Sequence, residues 1–142
     1  MLKSMLSVEP VHVVVAITDN RARLRVANSL HGLGARFLGL VHPGAYVSEA
    51  SVVGDGSVVA AGAIVHPDAA VGSHCFLGPR SVVDRDAEVG AGAWISAGAI
   101  VGPGARLGAR VVLGQNSSVD RKAVVDGGAE IGALRHVARE GS

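Results

Sequence analysis

Residues 69–104 read AAVGSH CFLGPR SVVDRD AEVGAG AWISAG AIVGPG when cut into sixes. The third residue of every block is a branched aliphatic: Val71, Leu77, Val83, Val89, Ile95 and Val101. The same cut extends without a gap from Ala45 to Leu134, giving fifteen blocks with Val, Leu or Ile third in all fifteen. Those three residue types make up 40 of 142 residues, so the coincidence is not chance. The first residue of a block is Ala, Ser or Cys in fourteen cases, Val111 being the exception. The fourth is most often Gly, with Asp at Asp84, Asp120 and Asp126.

A fixed period of this kind marks a stacked repeat. A short strand that turns a corner every six residues closes a triangular coil in three strands. The aliphatic residue then points into a narrow interior and stacks on its equivalent eighteen residues later. The small first residue fills the corner, and Gly or Asp near the turn tolerates unusual backbone angles. The pattern is that of a mainly β fold, a left-handed parallel β-helix of five coils over residues 45–132. At a strand spacing of about 4.8 Å the prism is roughly 24 Å long. No block is interrupted, so no long loop leaves it.

Composition agrees. The chain is 49% hydrophobic but holds 20 glycines and only four aromatic residues, which suits a thin aliphatic interior rather than an ordinary globular core. A formal net charge of +1 gives no field that would favour nucleic acid or an anionic membrane. The single cysteine, Cys75, permits no intrachain disulfide and fits a cytoplasmic location. Met1–Ser7 makes a poor leader, and the run Val11–Ile17 is too short to span a bilayer.

The first forty residues follow other rules. Residues 12–17 (HVVVAI) read as a buried strand, and Thr18-Asp19-Asn20 as a turn that caps a helix. Arg21 to about Leu33 is amphipathic, with Leu24, Ala27, Leu30 and Leu33 on one face, and Gly32 and Gly34 end it. Residues 36–41 (RFLGLV) are a second strand. A small βαβ unit over 1–44 thus precedes the prism, and 133–142 form a tail, either a short capping helix or disordered. Phe76, Trp94 and Val112, spaced by eighteen, stack on one outer face. The plainer reading is a subunit contact and the functional one a cleft wall.

Two stretches, VVVAITDNRARLRVANSL (13–30) and LVHPGAYVSEASVVGDGSVV (40–59), together with VGSHCFLGPRSVVDRDAEVG (71–90), carry a resemblance. Asp19, Asn20 and Arg21 after a strand, then His42-Pro43-x-Ala45 before the repeats, resemble the hexapeptide acyltransferases that O-acetylate sialic acid or N-acetylate UDP-amino sugars in bacillosamine-type pathways. The resemblance implies a homotrimer, acetyl-CoA or another acyl-CoA bound between neighbouring prisms, and O- or N-acetyl transfer to a small sugar-type acceptor. It also implies a histidine general base on a corner, followed by an acidic residue. In this sequence that segment is Val83-Asp84-Arg85-Asp86, and arginine keeps its proton. A second family histidine is matched by Trp94, a glycine pair by Pro103-Gly104, and the first-turn glycine by Thr18. The family's Gly-rich nucleotide-sugar half-domain has no counterpart here.

The candidate catalytic residues are therefore Arg85, Asp86, His74 and His66. Trp94, Ser96, Gly98 and Gly104 are the cofactor-binding candidates, and Asp19, Asn20, Arg80 and Asp84 the substrate-binding ones. Each has a plainer reading: surface imidazoles for His66 and His74, a salt-bridged corner for Asp84–Asp86. Cys75 reads as a core thiol, and the histidines show no metal-ligand spacing. Two functions stand side by side, an acyl-CoA-dependent acyltransferase and a trimeric binding or structural module that has lost the base and binds an anionic metabolite through Arg85, or a partner protein.

Overall fold

The computed structural model describes residues 12–141; the leader reading of Met1–Ser7 and the expected strand's neighbour Val11 lie outside them. Strand β1 (His12–Val13), helix α1 (Asn20–Gly32) and strand β2 (Arg36–Phe37) form the N-terminal unit. β1 and β2 pair in parallel, His12 with Arg36 and Val13 with Phe37. Seventeen two-residue strands follow, from β3 (Leu40–Val41) to β19 (His136–Val137). They lie in three parallel sheets of six, five and six strands, a β-solenoid of about five turns.

The register is eighteen residues throughout, as Val65, Val83 and Val101 show by pairing in succession. In each strand the second residue turns inward. Val65, Leu77, Val83, Ile95, Val101 and Leu113 have no exposed surface at all. The block-opening residues complete the core: Ala63, Ala87, Ala93, Ala99, Ala105 and Val111 are equally buried. Val111 shows that one corner has room for more than a methyl group.

The ladders run further than the fifteen blocks. Leu40–Val41 joins at one end and His136–Val137 at the other, pairing Ser118 with His136 and Val119 with Val137. The expected helix or disordered tail is thus in part a strand. Val137 keeps the six-residue step, and Ser118 Oγ and His136 Nδ1 meet at 2.8 Å. The second expected strand, 36–41, divides at Gly39: its first half pairs with β1 and its second enters the solenoid. The first expected strand is regular only over His12–Val13, because β2 offers no partner beyond Phe37.

Two glycine roles separate by position. Left-handed backbone falls on the sixth residue of a block, as at Gly92 (φ +72°), His74 (φ 55°) and Arg80 (φ 57°). The fourth-position glycines have another cause: a Cβ on Gly72 would lie 2.6 Å from Ala91 N in the next coil.

The three outer faces differ. The first carries Leu40, Val58, Phe76, Trp94, Val112 and Glu130. The second presents Tyr46, Ile64, Val82 and Ile100, with Tyr46 57% and Ile100 43% exposed. The third is polar at its centre, where Arg106 Nε and Glu88 Oε2 stand 3.8 Å apart.

Candidate functional site

The N-terminal unit docks on the first face, and one side chain does most of the fastening. Asp19 caps α1 by accepting from Ala22 N at 2.7 Å. This start sets the helix so that Asn20, Arg23 and Ala27 face the solenoid and are buried. The expected stripe is only partly right: Ala27 is buried, Leu24 and Leu30 are half-buried, and Leu33 is exposed.

Arg23 is 3% exposed. Its Nε donates to His74 O at 2.9 Å, and Nη1 donates to Ile17 O at 2.9 Å. Nη2 donates to Asn20 Oδ1 at 2.7 Å and to Gly92 O at 2.8 Å. Among the described residues no carboxylate pairs with it; carbonyl dipoles and the face of Trp94 hold the charge instead. Burial pulls its pKa below the usual arginine value, while Cys75 and Asp19 oppose the shift. Asn20 extends the clamp by donating from Nδ2 to Arg110 O at 3.1 Å.

Phe76 and Trp94 stack with centroids 4.1 Å apart and planes at 23°. With Val58, Leu40, Val14–Thr18 and Cys75 they line an apolar pocket of about 390 Å³ under the N-terminal unit. The N-terminal unit thus lies over part of this ladder, and Phe76, Trp94 and Val112 are half-buried. Cys75 is the core thiol expected: Sγ donates to Gly90 O at 3.2 Å, and burial pushes its pKa up.

His74 sits at the corner beneath β2. Phe37 meets its ring edge-on at 4.6 Å, and its Nδ1 is buried with no hydrogen-bond partner among the described residues. Burial lowers its pKa first, Arg23 and His31 add to that, and Asp55 opposes it. A neutral imidazole results, wedged between the two parts of the fold.

The other candidates occupy separate corners. His66, Asp84, Arg85, Asp86 and Gly104 share the edge between the second and third faces. Arg85 O accepts from Gly104 N at 2.8 Å, and His66 N donates to Val83 O at 3.0 Å, which places the three on consecutive coils. Arg85 is exposed, and Asp84 Oδ1 accepts from its backbone N at 2.7 Å. Arg80, Ser96 and Gly98 share the edge between the first and second faces, where Gly98 N donates to Pro79 O at 2.9 Å. Asp19 and Asn20 lie beside α1 and line a polar pocket of about 490 Å³ with Arg21, Arg110 and Glu130. One chain therefore gathers these residues at three places, not one.

Arg23, Arg25 and Arg110 were missed by sequence reasoning. A signal existed in Arg21-Ala22-Arg23-Leu24-Arg25. Arginines at alternate positions cannot share one helix face, so one of the three had to turn inward. Among the described residues no group of three His, Cys, Asp or Glu side chains could hold a metal ion, and no helix is long and apolar enough to cross a membrane.

Residues 69–121 match the family model described as the hexapeptide repeat of succinyl-transferase. The acetyltransferase domain of PglB from Neisseria gonorrhoeae superposes with a TM-score of 0.88 at 27% identity, over 94% of this chain and 67% of that one. The same domain in complex with acetyl coenzyme A gives 0.65 at 26% identity, over 96% and 70%. PerB from Caulobacter crescentus, in complex with CoA and GDP-perosamine, gives 0.63 at 25% identity, over 98% and 69%. No curated protein matches the chain.

Proposed function

We propose that the chain is an acyl-CoA-dependent acyltransferase that acetylates a hydroxyl or amine of a sugar-type acceptor and works as a homotrimer. The observation that carries this reading is the extent of the likeness to the PglB acetyltransferase domain. It takes in the clamped N-terminal unit as well as the solenoid, at a TM-score of 0.88.

The second face supports the trimer. Tyr46, Ile64, Val82 and Ile100 form an apolar stripe that a neighbouring prism would cover. Its border is the edge that carries His66, Asp84, Arg85, Asp86 and Gly104, so a neighbour would bring a second edge against it. The donor set suits an acyl-CoA. Arg85 and, two coils on, Arg121 and Lys122 offer cations to its phosphates, and Gly104 on the coil between leaves the corner without a side chain. The bound thioester supplies an activated acyl carbon. On this edge Arg85 cannot take the acceptor's proton but can hold negative charge; His66, one coil earlier, is the imidazole able to receive the proton.

A second reading has its own support: Arg85 stands exposed in the base position while Asp84 is occupied in capping its backbone N–H. The solenoid would then bind without catalysing. Calorimetric titration with CoA, followed by acetyl transfer to a panel of amino sugars and their nucleotides, separates the two. Binding with turnover supports the enzyme, binding without turnover the second reading, and absence of both removes the acyl-CoA site.

A further inference from the structure

Three arginines line one pocket beside α1 without a counter-ion among the described residues. Arg21 and Arg25 are four residues apart and so share a helix face, where like charges repel. They also stand in the N-terminal half of a helix whose first turn has no acidic residue, at the end where the backbone dipole is positive. Arg110 reaches the same place from the solenoid corner below. Its backbone is left-handed (φ 62°), its N donates to Ala91 O at 2.9 Å, and its carbonyl accepts from Asn20. The third arginine is thus held against the start of the helix by its own main chain.

Arg21, Arg25 and Arg110 line an open pocket of about 720 Å³ with Leu24, Asn28 and Ser29. No carboxylate lines it, and among the described residues none of the three arginines makes an ion pair. The adjoining polar pocket shares Arg21 and Arg110 but also contains Asp19 and Glu130. Asp19 is turned to its helix-capping bond, and Glu130 leaves that side less favourable to an anion. The arrangement places two avoidable electrostatic costs beside neutral donors, Asn28 and Ser29, with room for a tetrahedral anion between them.

We propose that this pocket binds a phosphate-bearing anion, with the three guanidinium forks gripping a diphosphate group. Arginine suits this task because its planar fork matches phosphate oxygens two at a time. The site lies on the N-terminal unit, away from the Arg85 edge, and its occupancy does not depend on acyl transfer.

The test is calorimetric titration of the full chain with inorganic pyrophosphate at low ionic strength. Saturable binding is expected, weakening about tenfold or more in Arg25→Gln and in Arg110→Gln, as loss of a hydrogen bond to a charged group requires. It should also weaken with added salt. Arg106→Gln, on the third face, should bind as the wild type does. Circular dichroism checks that each variant is folded; Arg25 is exposed. Displacement of pyrophosphate by UDP would point to a nucleotide diphosphate as the source, and displacement by CoA but not by dephospho-CoA to the 3′-phosphate of CoA. No saturable binding, or equal binding by wild type and both variants, overturns the proposal. Arg25→Gln that loses pyrophosphate but still binds CoA would leave the acyl-CoA reading untouched, so the two fail separately.

Discussion

The guanidinium carbon of Arg23 lies 5.5 Å from the centroid of the Trp94 ring, across the seam between the N-terminal unit and the solenoid. The same arginine joins three separate stretches of chain through their carbonyls: Ile17 in the strand's extension, His74 at one corner and Gly92 on the next coil. It is a positioning residue, and its removal leaves carbonyl acceptors at the seam, one of them in a buried bond, without their donor.

Arg23→Leu should therefore destabilise the docked unit by about 3 kcal/mol or more, since each buried group left unpaired costs roughly 1–3 kcal/mol. Lysine in its place should recover less than half, because one ammonium cannot span the fork. Urea denaturation with hydrogen exchange at Val13–Ile17 measures both. Unchanged protection in Arg23→Leu would show that apolar contacts alone hold the unit.

His74 makes stability pH-dependent in a set direction. Its folded pKa lies below the ordinary value of 6.5, chiefly through burial and then through Arg23. Between those two values the unfolded chain binds more protons than the folded one, so stability falls as the pH drops through about 6.5. It levels off below the folded pKa, and above the ordinary value the effect is absent. His74→Asn keeps a residue type that tolerates the left-handed backbone, as Asn116 does at φ 54°. Its stability should change less between pH 7.5 and 5.5 than that of the wild type, read by denaturation at each pH.

The solenoid was legible in the sequence because one physical requirement, filling a narrow interior, repeats every six residues. Val65, Val83 and Val101 meet it in the same way, so position alone places them. The ends were less legible: Val41 and Val137 keep the step, but Gly39 and Arg135 stand where Ala, Ser or Cys opens most other blocks. The docking of α1 was not legible, because the pattern of apolar residues points to Leu24 and Leu30 while the buried anchor is a charged side chain. Arg23 can be buried only because carbonyls from distant coils converge on it, and no local pattern encodes that convergence. The candidate residues were not legible as places, since six-residue spacing does not show that they fall on three edges of one prism.

Gly72 tests why glycine recurs at the fourth position of a block. A Cβ there would lie 2.6 Å from Ala91 N and 2.8 Å from Ala91 Cα, so two coils would have to separate. Gly72→Ala should cost about 1–3 kcal/mol, the range for overpacking a close-fitted interior. Gly128 has the opposite character, with φ 78° and open space around its Cα. Gly128→Ala should cost about 1 kcal/mol from backbone strain alone. Thermal unfolding of the two variants decides between the causes: a larger loss in Gly128→Ala would mean that conformational freedom, not coil spacing, selects glycine in this fold.

Arg85→His bears on the chemistry most directly. Arg85 is exposed on the edge that His66, Asp84, Asp86 and Gly104 share, and its backbone N–H is already fixed by Asp84 Oδ1 at 2.7 Å. The substitution changes the side chain without disturbing that turn, so stability should stay within about 0.5 kcal/mol of the wild type, as for other surface changes. An imidazole at this position, followed by Asp86, could accept a proton near neutral pH, which a guanidinium cannot. If the wild-type edge binds acyl-CoA but lacks a base, acetyl transfer should rise by about a hundredfold or more, the usual contribution of general-base catalysis. If His66 already serves, the gain should be small and His66→Gln should abolish transfer in the wild type. A variant that binds CoA as before yet gains nothing, in a background where His66→Gln also changes nothing, would show that this edge takes no part in moving a proton.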